Sequence, residues 1–351
     1  MTRTSEVRSG RSDADDVVVV GRGPIAAAVV ARLGRSARGG ATPVRALPQL
    51  PVDAPQDAVS GARAIVLVVD DADLASSTAS PHDRRLAAVS GAQRAVEAAR
   101  TAKVPQVVAV TSAMVHGAEP GRPVILDDDA PLPTPGEGTV GDLVAVEAVL
   151  ARAARARGRG RPGIMVLRPA AVVGPGVDTL ITRHFSAPRI LAVRGVERPW
   201  QLVHVDDVAA AVEMAVEHGW TGAATVAADP VLTLAQVQKQ SAMRRIELAA
   251  VTAFGTAERL HRVGVVSAPA AELAYVVYPW TVDPARLRSA GWVPEHDGED
   301  CLAVLVAGVR GRVLVGSRFG GRDMALGAAG AAVALMGTAA VVRQARRHRY
   351  G

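Results

Sequence analysis

Residues 15–35 restrict the fold more than any other stretch of the chain. Asp15-Asp16-Val17-Val18-Val19-Val20 is a short β-branched run, the pattern of a parallel strand buried on both faces. It leads directly into Gly21-Arg22-Gly23-Pro24-Ile25-Ala26 and then the helix-forming Ala27-Ala28-Val29-Val30-Ala31-Arg32-Leu33. Gly21 permits a sharp turn, Gly23 leaves room for a pyrophosphate to approach the backbone, and the small Ala26 permits close helix packing. The free N–H groups and partial positive charge of the helix start would face the phosphates. Gly21, Gly23, Pro24, Ile25 and Ala26 are therefore the expected dinucleotide contacts. An ordinary tight strand-to-helix turn whose pocket has emptied would look similar.

The rest of the chain alternates strands and helices as an α/β fold with a Rossmann-type, doubly wound parallel sheet requires. With 351 residues, 49% of them hydrophobic, it can bury a large core. Val44-Arg45-Ala46-Leu47 is the expected second strand, and Ala64-Ile65-Val66-Leu67-Val68-Val69 a third, ending at Asp70-Asp71. An acid near the end of the second strand would grip a ribose 2′-OH, whereas an arginine would accommodate a 2′-phosphate. No acid stands there. Arg45 leans the choice toward NADP over NAD, and Asp53 is placed to meet the adenine.

Five further segments make the pattern specific. These are Ala88-Val89-Ser90-Gly91-Ala92-Gln93-Arg94, Val107 through Thr111-Ser112 to Gly117, Val166-Leu167-Arg168-Pro169 through Gly174-Pro175-Gly176, Trp200-Gln201-Leu202-Val203-His204-Val205-Asp206-Asp207, and Asp283-Pro284 through Gly291-Trp292. In this order, over roughly residues 16–310, the chain resembles the extended short-chain dehydrogenase/reductase superfamily, in particular its NAD-dependent epimerase/dehydratase group. The resemblance implies a dinucleotide domain with an interleaved substrate lobe, mainly 174–200 and 220–310. It also implies NAD or NADP as cofactor, hydride transfer, and a nucleotide sugar or similar hydroxyl-bearing substrate. Structural roles compete at several positions. Asp206 or Asp207 is expected as a helix N-cap, Arg168 as a buried hydrogen-bonding anchor, and Gly174-Pro175-Gly176 as a turn.

The family's Tyr-x-x-x-Lys dyad is absent. The tyrosines are Tyr275, Tyr278 and Tyr350, and the lysines are Lys103 and Lys239. Counting back from Val144-Ala145-Val146-Glu147 puts Thr139 at the tyrosine position and Leu143 at the lysine position. Neither moves a proton near neutral pH. Ala88 replaces an asparagine of the same region. Ser112 is the one catalytic residue retained, and a Ser112, His116 and Asp142 grouping is a conceivable substitute. The loop from Glu119 to Gly138 is either a lid or a tethered surface loop.

A single cysteine, Cys301, excludes a disulfide framework and is expected in a buried helix. The net charge of +6 resides mostly in arginines. They lie at helix ends and carry no interleaved aromatic residues, so no nucleic-acid partner is expected. Residues 1–15 are polar, lack a signal-peptide core and are expected to be disordered, which places the protein in the cytoplasm. Residues 311–351 are expected to form a hydrophobic helix with an arginine-rich tail. The uncharged stretch 324–342 is near the length needed to span a bilayer, so attachment to the inner face of the membrane, with lipid contacts through 324–349, is an expectation. Gly327 with Ala331 and Gly330 with Ala334 would allow helix pairing in a homo-oligomer. Three functions remain open: a dinucleotide-binding sensor or scaffold with a degenerate catalytic centre, an atypical NAD(P)-dependent reductase or epimerase, and a ligand-free interaction module.

Overall fold

The computed structural model describes residues 16–35, 43–74, 79–156, 158, 160–264, 266 and 268–316. The expected disordered N-terminus and the stretch 324–342, with its lipid-contacting and helix-pairing positions, lie outside the described residues. Among the described residues no helix is long and apolar enough to cross a membrane.

The centre is a six-stranded, all-parallel sheet of β1 (Asp16–Val20), β2 (Val44–Leu47), β3 (Ala62–Val68), β4 (Gln106–Val110), β5 (Gly163–Pro169) and a later strand, Gly222–Val226. Its order is β2-β1-β3-β4-β5 followed by that later strand. The second strand occupies the span expected from the sequence, and the third begins two residues earlier.

Strand periodicity divides the core into two layers. Val17, Val19, Ala64, Val66, Val108 and Met165 belong to one cluster, with Ile25, Val29 and Leu33 of α1 (Gly23–Gly34). Val18, Val20, Ile65, Leu67, Val107 and Ile164 belong to the other, with Ala92, Ala95 and Ala98 of α2 (Pro81–Thr101) and Val146 and Leu150 of α3 (Gly138–Arg155). Because both faces are covered, the strands read as unbroken apolar runs rather than alternating ones.

A second group of elements sits over the carboxyl ends of the sheet. The short strand β6 (Ala171–Val173) leads to α4 (Leu180–Phe185) and β7 (Arg189–Val193). Then come β8 (Leu202–His204), paired with β6, and α5 (Val205–Glu217), which packs on α1. The Gly222–Val226 strand, β9, completes the central sheet, followed by α6 (Leu234–Ser241), β10 (Arg244–Leu248), paired with β7, and α7 (Ala250–Arg262). The chain ends its described course with α8 (Ala274–Val277), α9 (Ala285–Ser289) and α10 (Gly298–Gly316), which carries the fully buried Cys301.

Two expectations about anchoring residues meet different outcomes. Arg168 is a buried anchor, donating from Nη2 to Glu147 Oε2 at 2.8 Å and from Nη1 to the Asp129 carbonyl, while Thr111 donates to the same Glu147 carboxylate at 2.7 Å. The cap of α5, however, is neither Asp206 nor Asp207. The helix begins at Val205, and the His204 ring accepts the Asp206 N–H. Asp207 lies in the first turn, where its two oxygens accept the N–H groups of Glu295 and His296 and tie the segment before α10 to α5.

Glu147 and Arg168 are both buried, so removing one partner strands the other charge away from water. Glu147→Met should lower unfolding free energy by about 3–5 kcal/mol in urea titrations. The double change Glu147→Met with Arg168→Met should recover most of that loss.

Candidate functional site

The chain runs from β1 outward to β2 and then back across to β3 on the other side of β1, leaving a crevice at the carboxyl ends of β1 and β3, where the winding reverses. Gly21 and Gly23 stand at one lip, with φ of +148° and +77°. A Cβ on Gly21 would lie 2.8 Å from both Cβ and the carbonyl oxygen of Val68, and one on Gly23 would collide with the Asp71 carbonyl oxygen. Both glycines are thus required by the end of β3 itself. The start of α1 receives no side-chain cap, carries Pro24 in its first turn and has no acid there, so its terminal N–H groups suit an anion.

The opposite lip is the segment after β3. Ala72 adopts a positive φ of +53°, and the carboxylates of Asp70 and Asp71 accept the N–H groups of Ala72 and Asp73. Backbone bonds join it to the loop after β6, from Leu74 N–H to the Asp178 carbonyl at 2.9 Å and from Asp178 N–H to the Ala72 carbonyl at 2.7 Å. These two loops form a strap across the crevice.

Below the strap are two neighbouring cavities of about 310 and about 70 Å³. Ser112, at the end of β4, lines the smaller one, its hydroxyl accepting the Met114 N–H at 3.3 Å. Thr139 and Leu143, from the first turns of α3, line both cavities, as do Asp70, Asp71 and Glu272. The structure therefore brings Ser112 together with the two positions expected to correspond to the missing dyad. Among the described residues, no tyrosine or lysine lines either cavity.

Other candidates fall elsewhere. His116 is buried, with Nδ1 on the Ala130 carbonyl at 3.1 Å and no hydrogen-bond partner for Nε2 among the described residues. Burial, followed by the charge of Arg168, pushes its pKa down to about 4, so it is neutral near pH 7. Asp142 is clamped by Arg84 at 2.6 Å and Arg85 at 2.8 Å. The conceivable Ser112, His116 and Asp142 grouping is therefore not assembled as a relay. Arg45 is bound to Asp16 and to the carbonyls of Ala58 and Ser60, at the amino-terminal end of the sheet and away from the crevice. Asp53 is exposed in the loop after β2. Tyr275 is near the site, but burial, reinforced by Glu272, pushes its phenol up to about 12, the opposite of what an acid–base tyrosine needs.

Three acidic groups meet here: Asp70 and Asp71, at the end of the third strand expected from the sequence, and Glu272, which sequence reasoning did not single out. Burial pushes Asp70 up to about 6, with the charges of Asp71 and Glu272 adding to it against the Ala72 N–H. Burial also raises Asp71 and Glu272, the latter while it accepts the Val140 N–H at 3.1 Å and so caps α3. A lone acid in the run Ala270-Ala271-Glu272-Leu273-Ala274 was the one available signal for Glu272.

The profile described as NAD dependent epimerase/dehydratase family matches residues 48–227. Uncharacterized proteins of Mycobacterium tuberculosis and Mycobacterium bovis are 30% identical over 214 residues, 59% of this chain and 55% of theirs. The chain thus spans about half the length of these curated relatives. Among solved structures, gox2253 superposes with a TM-score of 0.62 at 20% identity, covering 85% of this chain and 98% of that one. MoeE5 in complex with UDP-glucuronic acid and NAD gives 0.58 at 21%, covering 84% and 99%. The UDP-glucose 4-epimerase of Thermus thermophilus, in complex with NAD, gives 0.57 at 19%, again covering 84% and 99%. At these identities the likeness is one of fold.

The raised pKa of Asp70 has a consequence for stability. Between the ordinary carboxyl value of 3.8 and about 6, the folded chain keeps a proton that the unfolded chain has released. Stability should therefore fall as pH rises through that window, and the penalty should persist above it. Asp70→Asn should be more stable than wild type by on the order of 2 kcal/mol at pH 7.5, with the difference vanishing toward pH 4, as read by urea unfolding across pH.

Proposed function

Because the chain belongs to the NAD dependent epimerase/dehydratase family, we propose that it binds a nicotinamide dinucleotide across the carboxyl ends of β1 and β3, and that binding rather than efficient hydride transfer is its function. The protein then acts as a cofactor-binding sensor or scaffold. One observation carries the second half of this reading: Ser112, Thr139 and Leu143 share one cavity, and no tyrosine or lysine among the described residues lines it. A threonine hydroxyl beside a leucine has no cation to acidify it, so proton transfer to or from a substrate hydroxyl lacks its usual agent.

The residues that would hold the diphosphate are Gly21, Gly23, Pro24, Ile25 and Ala26, through the uncapped start of α1. When bound, the nicotinamide would supply a hydride acceptor or donor. With Arg45 engaged at the other end of β2, nothing from that strand favours a 2′-phosphate, which supports NAD as the cofactor. Asp53 stays available at the loop after β2 for the adenine side. Asp71 works against the diphosphate, because its backbone abuts Gly23 and its carboxyl belongs to the facing lip. The alternative reading, an atypical reductase or epimerase acting on a nucleotide sugar, is supported by Ser112 in the cavity and by the UDP-sugar complexes of structural neighbours.

Titration of the full chain with NADH and NADPH, followed by cofactor fluorescence, tests the reading. Saturable binding, tighter for NADH, is expected, together with no more than trace oxidation of UDP-glucose in the presence of NAD. Asp71→Asn keeps an oxygen for the Asp73 N–H while removing a charge, and should tighten NADH by roughly three- to tenfold. No saturable binding of either cofactor would leave a ligand-free interaction module, and rapid turnover would favour the reductase or epimerase.

A further inference from the structure

The 310 Å³ cavity has an electrostatic character that its fold does not require. Five carboxylates line it, Asp70, Asp71, Asp73, Asp142 and Glu272, against two arginines. Arg84 shares Asp142 with Arg85, and Arg183 is paired with Asp178 at 2.6 Å. Asp70 and Glu272 have no salt bridge among the described residues, and they are near enough for the charge of one to act on the other. Asp70 and Glu272 thus face the cavity without an ion-pair partner among the described residues, and the positive charge acting on Glu272 is that of Arg84.

A second observation indicates a ligand. His184 lines the same cavity at 1% exposure, and neither of its ring nitrogens has a hydrogen-bond partner among the described residues. Its ring packs against Phe185, edge-on at 5.9 Å, and Trp200, near-parallel at 5.9 Å, with Arg198 lying 3.3 Å over the indole. A buried imidazole with two unused nitrogens forfeits hydrogen bonds that water or a ligand would restore. Because it is neutral, it offers one donor and one acceptor.

We propose that this cavity binds a primary amine carried on an apolar or hydroxyl-bearing body, with the ammonium group between Asp70 and Glu272 and His184 meeting a hydroxyl or amide of the same molecule. The reading of the cleft as a ligand site underlies this proposal. An ammonium supplies three donors and a positive charge, which would offset the upward pKa shifts of both carboxyls. The remaining walls come from Leu143, Leu180, Ala257, Leu273 and Val276. They suit a hydrocarbon body, and among the described residues the carboxylates of this cavity do not converge as a metal-ligand group. A nucleotide diphosphate sugar would instead bring two phosphate charges against Asp70 and Glu272, where like charges repel.

The test uses ligands of one shape and different charge. Calorimetric titration of the full chain with benzylamine, benzyl alcohol, benzoate and UDP-glucose should show saturable benzylamine binding at least tenfold tighter than benzyl alcohol, and no binding of benzoate or UDP-glucose. The variant carrying Asp70→Asn and Glu272→Gln keeps an acceptor oxygen for the Ala72 and Val140 N–H groups and should lose the amine preference, while its circular dichroism spectrum stays that of wild type. Benzylamine binding no tighter than benzyl alcohol, or saturable UDP-glucose binding in this cavity that benzylamine does not displace, would overturn the proposal on the wild-type protein alone. The NADH titration is read separately, so loss of amine binding with NADH binding intact removes only this inference, and the converse removes only the dinucleotide reading.

Discussion

The end of β3 rides directly over the start of α1, and the upper part of the molecule is arranged around that contact. Val68 and Asp71 come so close to Gly21 and Gly23 that a methyl group at either glycine would meet backbone atoms. With the end of β3 in this position, the following turn through Ala72 reaches the loop after β6 and closes onto Asp178. The strap covers the crevice, carries Asp70 and Asp71 into it, and sets the ceiling of both cavities. The same two glycines that admit a phosphate in a dinucleotide fold are here also demanded by the protein's own chain. Phosphate binding and local packing therefore compete for one small space, which makes the charge of Asp71 a sensitive control on the first.

Around this contact the lining of the site is more acidic than basic. Thr139 and Leu143, the residues expected at the dyad positions, line both cavities, and Tyr275, beside the site, is made less acidic by its surroundings. The larger cavity is lined by carboxyls, of which Asp70 and Glu272 have no ion pair among the described residues, and by a buried histidine whose ring nitrogens have no hydrogen-bond partner among them. Polar groups that are costly to bury and unsatisfied by the protein tend to mark a place where a ligand completes the structure. The network beneath, Thr111, Glu147 and Arg168, is by contrast complete within itself and holds β4, α3 and β5 in register.

Most of the fold was legible in the sequence. Apolar runs of five to seven residues, each followed by a helical stretch, dictate a parallel sheet covered on both faces, because a right-handed crossover helix is the short route between parallel strands. The second strand and the buried setting of Arg168 and Cys301 were read from residues alone. The cap of α5 was not, since His204 does not belong to the usual capping residues and the tandem aspartates after it drew the assignment one step too far. For Arg45 the sequence leaves open which face of β2 its side chain takes, because position along a strand does not say which way a long side chain bends. Only the proximity of Asp16 and the carbonyls of Ala58 and Ser60 turns it to the amino-terminal edge.

Local pattern by itself thus determined the type and order of the elements, the glycine turn after β1 and the impossibility of a Tyr-x-x-x-Lys dyad, because each depends on neighbours within a few residues or on simple presence. Tertiary structure alone decided what surrounds the site. Glu272 lies 132 residues beyond the Val140 N–H it accepts, and His184 enters the cavity from a different element again. Burial, charge balance and unsatisfied nitrogens are properties of groups brought together across the chain. They arise only when the strap, α3, α4 and the segment before α8 pack around one volume, and no local sequence signal encodes that meeting.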